Sequence, residues 1–148
     1  MEHYRHIVCA TALDEGSRQA CARAAALSAC GGGRLTLLHV VENFPQDRSV
    51  KEIAPENEDP QAFREHRARQ RLAELAREAG CEGAELQVRF CDGPAWHEIM
   101  RAAREAEVDL IVLGGPVHSP PATLAATTRA ALARQPPCDI LTINSEPR

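Results

Sequence analysis

One segment constrains the fold of this chain more than any other: a short apolar run followed by two glycines, a proline-rich turn and a helix. The run, LIVL, spans residues 110–113, and Gly114 and Gly115 follow it. A run of this length without polar residues is typical of a parallel strand that is buried on both faces. The glycines are expected to break the strand, and a helix is expected from about residue 122. N–H groups in such a loop, and the N-terminus of the helix after it, can hold an anion.

The same alternation of strand and helix runs along the whole chain. Strands are predicted over residues 5–11, 34–41, 84–91, 110–113 and 139–144. Helices are predicted over residues 61–79 and 95–105, and two further helices follow the first strand and the fourth strand. Asp14 or Ser17 is expected to cap the first helix, and the glycines at 31–33 to end it. Residues 43–60 hold three prolines and many acidic residues, which predicts an exposed loop.

Strands that alternate with helices predict right-handed βαβ crossovers. We therefore expect a single α/β domain over residues 1–148, a three-layer sandwich with a five-stranded parallel sheet of order 3-2-1-4-5 and helices on both faces, of the Rossmann-like type. Ligands in such sheets bind at the carboxyl ends of the strands, where the strand order reverses. The loops after Thr11, Val41 and Leu113 should border that cleft.

Composition excludes several classes of function. A net charge of −4 disfavours a nucleic-acid partner, which needs a basic surface. No apolar run is long enough to span a bilayer, and the first residues, MEHYRHIVCA, do not resemble an export signal, so we expect a cytoplasmic protein without a membrane partner. The six cysteines lack a CxxC pair, and without an export signal we expect unpaired thiols rather than disulfides, most of them buried.

Histidines and cysteines near one end of the predicted sheet raise two alternatives. His39, His97, His118 and Cys91 all fall toward the carboxyl ends of strands, where a zinc site is conceivable. No pair has the spacing of metal ligands, so we expect no metal. A Cys–His nucleophile built on Cys9 or Cys91 has no better support. Cys9 lies in a strand that should be buried, where thiols are inert. No catalytic set is apparent.

The chain resembles the universal stress protein family over nearly all of its length. The first strand and loop of the family are similar to RHIVCATALDEGS, and its second strand to LTLLHVVE. Its third strand, helix and fourth strand are similar to VRFCDGPAWHEIMRAAREAEVDLIVLG, and its closing strand to PCDILTI. The resemblance implies a five-stranded α/β domain related to adenine nucleotide alpha hydrolases, usually dimeric.

The family has one branch that binds ATP and one that does not. The ATP-binding branch carries a motif after the fourth strand, G-x-x-G, nine residues, then G followed by Ser or Thr. Gly114 matches its first glycine, but Val117 and Thr127 stand at the second and third, and Thr128 alone keeps the hydroxyl. A β-branched residue cannot supply the positive φ or the close backbone approach of glycine.

Two further departures favour the branch that does not bind ATP. Pro116, Pro120 and Pro121 withhold three N–H donors from the loop. ATP-binding members carry an aspartate at the end of the first strand, where this chain has Ala12, and Asp14 could replace it only in a rebuilt loop. Thr127 and Thr128 could receive a phosphate or be phosphorylated, but we favour Thr128 packing inward with Leu124 and Ala131.

The sequence thus predicts a non-enzymatic, homodimeric regulatory module of the stress response with an unidentified protein partner and no cofactor. The alternative is a nucleotide-binding protein with slow ATP hydrolysis or nucleotide-gated partner binding. If a nucleotide binds, the expected contacts are Ala10, Thr11, Ala12, Asp14, Val40, Gly114, Gly115, Thr127 and Thr128. The final strand is apolar and unprotected by lysine or proline, so we expect it to pair with its copy through Asp139, Ile140, Leu141, Thr142 and Ile143.

Overall fold

Strands and helices alternate strictly along the chain. The computed structural model describes residues 3–14, 16–43, 54–115 and 124–144. The elements of these ranges are β1 (His6–Ala10), α1 (Ser17–Gly31), β2 (Arg34–Glu42), α2 (Pro60–Glu78), β3 (Glu85–Cys91), α3 (Ala95–Glu105), β4 (Leu110–Gly115), α4 (Leu124–Arg134) and β5 (Asp139–Asn144). Within the described ranges, no helix combines the length and the apolar character needed to cross a membrane.

The five strands form one parallel sheet of order β3-β2-β1-β4-β5, which confirms the predicted fold and strand order. β1 lies at the centre, with Cys9 opposite Leu37 of β2 and opposite Val112 of β4. β3 and β5 are the outer strands. The chain adds β2 and β3 on one side of β1 and then returns to add β4 and β5 on the other side. The strand order therefore reverses beside β1.

Two apolar cores, one on each face of the sheet, hold the helices in place. On one face, Ile7 and Leu37 of the sheet meet α1 and α2, where Leu72 is fully buried. On the other face, Ile111 meets α3 and α4, where Leu132 is fully buried. Adjacent residues of the central strands point to opposite cores, which explains why these strands are apolar at every position.

The start of α1 differs from the prediction. Its N-cap is Gly16, which has no side chain to accept a hydrogen bond from the first turn, so the expected cap by Asp14 or Ser17 is wrong. Ser17 is already the first helical residue, and its hydroxyl donates to the Asp14 carboxylate at 3.0 Å. The end of α1 agrees with the prediction, because Gly32 adopts a left-handed conformation with φ 70°.

β4 extends beyond its predicted end. We expected Gly114 and Gly115 to break the strand, but both continue it and lie opposite Ile143 and Asn144 of β5. A glycine pair breaks a strand only where the backbone leaves the ladder, and here the neighbouring strand continues alongside.

The loop between β2 and α2 ends one residue before the predicted boundary. Pro60 is the first helical residue, and the Asp59 carboxylate accepts from the Ala62 N–H at 3.1 Å. Proline suits this position because the N–H that it lacks has no partner in a first turn. Residues 55–59 are exposed, as expected, whereas residues 44–53 of the predicted loop lie outside the described residues.

Candidate functional site

A cleft opens at the carboxyl ends of β1, β2 and β4, where α3 and α4 close one side. Its empty volume is about 410 Å³, continuous with solvent. The residues that line it are Ala10, Thr11, Ala12, Leu38, Val40, Ala95, Ile99, Leu113, Gly114 and Thr128. The cleft lies where the strand order reverses, the usual position of a ligand site in a sheet of this type.

Six of the nine residues named as nucleotide contacts line this cleft: Ala10, Thr11, Ala12, Val40, Gly114 and Thr128. The other three do not belong to its lining. Asp14 and Thr127 are exposed, and Gly115 is the last residue of β4. Thr128 is buried, as expected for a residue on the inward face of α4. The loop residues 116–123, which include Val117, His118 and three prolines, lie outside the described residues.

Sequence reasoning missed four apolar members of the lining: Leu38, Ala95, Ile99 and Leu113. The helical spacing of Ile99 in α3 indicates an inward position, but it could not show that this residue reaches the cleft as well as the core. The alternation along β2 was a usable signal for Leu38, because Leu38 and Val40 share one face of the strand.

Hydrogen bonds within the β1–α1 loop fix its shape. The Thr11 hydroxyl donates to Ser17 Oγ at 2.6 Å and accepts from the Leu13 N–H at 3.0 Å. Leu13 has φ 61°, a left-handed conformation that costs a non-glycine residue roughly 1–2 kcal/mol. The Asp14 N–H donates to Ser17 Oγ at 3.2 Å, and the Asp14 carboxylate accepts from the same hydroxyl. The loop therefore holds the Asp14 carboxylate on Ser17, and Asp14 does not line the cleft.

His39 supports this loop from the neighbouring strand. Its Nδ1–H donates to the Thr11 carbonyl oxygen at 2.8 Å, which joins the end of β2 to the residue after β1. A carbonyl oxygen only accepts, so Nδ1 carries the proton. His39 thus has a structural partner at the position where the sequence suggested a metal ligand.

Gly114 permits α1 to approach β4 closely. A Cβ atom at this position would lie 2.7 Å from the Ala20 Cβ and 2.7 Å from the Gly16 carbonyl oxygen. Distances below 3.0 Å are not found for real Cβ atoms, so any side chain would push α1 away from the sheet. The glycine that matches the start of the phosphate motif is needed here for packing.

The described cleft lining carries no charge. Hydroxyls of Thr11 and Thr128 are its polar side-chain groups, and the remainder is apolar. Beside it, the Glu42 carboxylate accepts from the Ala95 N–H at 2.9 Å and so occupies the N-terminus of α3. A helix N-terminus attracts anions, and this one is already neutralised by a side chain of the protein.

The candidate nucleophile Cys91 is protonated at neutral pH. Burial raises the pKa of its thiol to about 11, with the carboxylate of Glu42 adding to the rise. Its Sγ–H donates to the Gly93 carbonyl at 3.2 Å. Among the described residues, no three His, Cys, Asp or Glu side chains are grouped so that they could bind a metal.

β5 provides the second candidate site. It pairs with β4 and forms one margin of the sheet. Of the five residues expected to pair with a second copy, Asp139 and Thr142 are exposed, and Ile140, Leu141 and Ile143 are partly buried. Asp139 also accepts a hydrogen bond from the Tyr4 hydroxyl at 2.8 Å, which ties the start of this strand to the N-terminal segment.

Together, these observations define a doubly wound α/β protein with a cleft at the reversal of its strand order. The sequence matches the profile of the universal stress protein family over residues 3–144, and the chain belongs to this family. It is 27% identical to universal stress protein A homolog 1 of Coxiella burnetii over 141 residues, which cover 95% of this chain and 96% of that protein.

Solved structures share the fold. A universal stress protein in complex with cAMP superimposes with a TM-score of 0.69 at 19% identity, covering 98% of this chain and 100% of the other. The universal stress protein from Archaeoglobus fulgidus in complex with dAMP gives a TM-score of 0.61 at 14% identity, covering 97% of this chain and 100% of the other. At these identities the likeness establishes the architecture alone.

Proposed function

We propose that this chain is a non-enzymatic universal stress protein that acts as a homodimeric regulatory module and does not use ATP. The observation that carries the proposal is the chemistry of the cleft. Alanine occupies position 12, and the described lining has no charged group to bind a ribose or a phosphate. A triphosphate would have to be held by hydroxyls and backbone N–H groups alone.

The residues at the expected phosphate side of the cleft also support a protein that does not bind ATP. Gly114 is required for the packing of α1, so its presence is no sign of a phosphate loop. Val117 and Thr127 replace two glycines of the motif, and three prolines lack the N–H groups that would bind oxygen atoms. The residues present do not fit ATP, and on this account the chain belongs to the branch that does not bind it.

The absence of an enzymatic role is likewise a proposal. Asp14 is held by Ser17, and Cys91 keeps its proton at neutral pH, so neither of these described groups is prepared for acid–base or nucleophilic chemistry. A regulatory protein of this kind acts through contacts with an as yet unidentified protein in the cytoplasm.

The homodimer is proposed through β5. A partly apolar strand at the margin of a sheet exposes N–H and C=O groups that pair readily with another strand. A two-fold axis would place two β5 strands antiparallel and join both sheets into one. Asp139 to Ile143 would then lie in the interface.

The alternative function is binding of an adenine nucleotide that gates a partner or is slowly hydrolysed. Two observations favour it: a cleft is present at the expected place, and two structural neighbours were solved with cAMP and with dAMP. The apolar walls formed by Val40, Leu38 and Ile99 suit a nucleobase.

Nucleotide carried through purification distinguishes the two functions. The purified protein is denatured, and its supernatant is chromatographed for adenine nucleotides, beside a nucleotide-binding universal stress protein treated identically as a positive control. We expect far less than one nucleotide per chain. One equivalent per chain would contradict the proposal and establish the alternative.

A further inference from the structure

Two cysteines face each other inside the core between the sheet and α1. Cys9 lies on β1 and Cys21 on α1, and their Sγ atoms are 3.5 Å apart. Both side chains are completely buried, with 0% of their surface exposed. All six cysteines are free thiols in this structure, so the pair is described in its reduced form.

We propose that Cys9 and Cys21 are an oxidation site, which hydrogen peroxide converts into an intramolecular disulfide. A disulfide has an S–S distance of about 2.05 Å, so the two sulfurs must approach by roughly 1.5 Å. The overall reaction consumes two thiols and one hydrogen peroxide and yields one disulfide and two waters. The thiols lose two electrons, and the peroxide gains them.

The reaction proceeds in two steps. In the first, the Cys21 sulfur attacks peroxide; an S–O bond forms, the O–O bond breaks, and the thiol proton leaves with the second oxygen as water. In the second, the Cys9 sulfur attacks the sulfenic acid on Cys21; the S–S bond forms, the S–O bond breaks, and hydroxide leaves with the Cys9 proton as water.

The contact between the thiols supports this order. Their hydrogen bond raises the pKa of Cys9, with burial adding to the rise, and it lowers the pKa of Cys21. Since a thiolate is the reactive form, Cys21 is the better first nucleophile and Cys9 the resolving thiol. The close contact makes the second step intramolecular and therefore fast relative to a second oxidation.

The third buried thiol nearby is engaged differently. Cys81 donates to the Cys21 carbonyl oxygen at 3.2 Å and to the Ala79 carbonyl oxygen at 3.7 Å, so its described partners are oxygen atoms. Burial also raises the pKa of Cys81 to about 11. The geometry therefore selects Cys9 as the partner of Cys21.

Because both thiols are fully buried, peroxide can reach them only when α1 opens locally, and its N-terminal end is the nearest place for this to happen. The helix begins at Gly16 with no side-chain cap, and its first turn has no acidic residue to offset the helix dipole. The ends of a helix open more readily than its middle, but Ser17 ties this first turn to Thr11 and Asp14, so the opening should be infrequent. Cys21 follows this turn directly, so oxidation should be slower than that of an exposed thiol yet occur in the folded protein.

The disulfide would act next to the cleft. Cys9 precedes the lining residues Ala10 and Thr11, and Ala20, which precedes Cys21, packs where a Gly114 side chain would lie. A covalent link at this point would draw α1 toward β1 and fix the loop between them. The closed loop also restricts the unfolded chain, so the oxidised protein should unfold at a higher temperature than the reduced protein.

Peptide mapping tests the proposal directly, because trypsin places each cysteine on a separate peptide. Cys9 falls on residues 6–18 and Cys21 on residues 19–23. The full chain is reduced with dithiothreitol, desalted, treated with hydrogen peroxide that catalase then removes, unfolded in denaturant containing N-ethylmaleimide so that buried thiols are alkylated as well, and digested without reductant. We expect a cross-linked species of these two peptides that lacks two hydrogens and that dithiothreitol separates.

Variants identify the roles of the two thiols. In Cys9→Ala the cross-link should disappear, and dimedone should label a sulfenic acid on Cys21; Cys30→Ser, at an exposed thiol, should keep the cross-link. Circular dichroism checks that each variant is folded. Peroxide that oxidises Cys30 and leaves both buried thiols alkylated would overturn the proposal. A disulfide between Cys21 and Cys81 would also overturn the proposal. Both of these outcomes are measured on the parent protein, so neither depends on whether a variant folds.

Discussion

Replacing Gly114 with alanine tests the packing of α1 on the sheet. The added Cβ would lie 2.7 Å from two atoms, the Ala20 Cβ and the Gly16 carbonyl oxygen. Neither atom is the end of a flexible side chain, so α1 or β4 must move. Overpacking of a core costs typically 1–3 kcal/mol, and we expect Gly114→Ala to lower the free energy of unfolding by about 2 kcal/mol.

Gly83→Ala is the matched control. A Cβ at Gly83 meets nothing within 4 Å, and the residue does not have a positive φ. Loss of backbone freedom in the unfolded state should make this change neutral or stabilising by up to about 1 kcal/mol.

Urea unfolding, followed by circular dichroism, measures both changes. With a slope of about 2 kcal/mol per molar urea, the midpoint of Gly114→Ala should fall by about 1 M. If the two variants differ by less than about 0.5 kcal/mol, then α1 does not pack on β4 as described, and the structural role assigned to Gly114 is wrong.

Three further predictions concern other parts of the fold. Burial would raise the pKa of Asp109, but hydrogen bonds from the Arg5 and His6 N–H groups outweigh it and hold this pKa below its usual 3.8. The ionised Asp109 carboxylate therefore stabilises the fold at neutral pH, and this stabilisation is lost as pH falls through the folded-state pKa. In urea titrations between about pH 5 and pH 2, Asp109→Asn should lose less stability than the parent protein. Leu72→Ala, at a fully buried position, should cost about 2–5 kcal/mol in the same assay, and a cost below about 1 kcal/mol would contradict its place in the core. Leu141→Pro removes an N–H donor from β5, so a folded variant should sediment as a monomer where the parent is a dimer; a parent that is monomeric at tens of micromolar, an ordinary range for a tight dimer, would defeat the proposed pairing.

The strands were predictable because buried strands have a locally apolar composition. Continuous apolar runs marked the central strands β1, β2 and β4. The crossover rule predicted right-handed βαβ units, whereas the order of the strands came from the expected fold type. The bounds of β5 agree at both ends, and those of the other strands differ by at most two residues. Local chemistry also located the ends of helices, as at Gly32 and Pro60.

What the sequence could not show depends on contacts between distant segments. Gly114 was expected to end a strand, but its requirement arises from α1, almost a hundred residues earlier in the chain. The role of His6 also depends on distant segments. Its Nδ1–H donates to the Ala106 carbonyl oxygen at 3.1 Å, and its Nε2 lies 2.8 Å from the Thr36 hydroxyl. Nor could the spacing of Cys9 and Cys21 reveal that their sulfurs meet.

The cleft was predicted better in position than in composition. The switch-point rule located it at the ends of three strands, and six expected residues line it. The assignment of Asp14 failed to anticipate the hydrogen bonds of Ser17, which hold the carboxylate in the loop. Side-chain direction in an irregular loop depends on such bonds, and no periodic pattern encodes them.

Titration calorimetry with ATP and magnesium measures whether the cleft binds ATP. The parent protein, freed of any carried nucleotide, should give no saturable heat, since the described cleft lining has no charged group and Pro116, Pro120 and Pro121 have no N–H to donate. Restoring glycine at Val117 and Thr127 should not create binding, because the three prolines remain. Saturable binding to the parent with a dissociation constant in the low micromolar range would contradict the account.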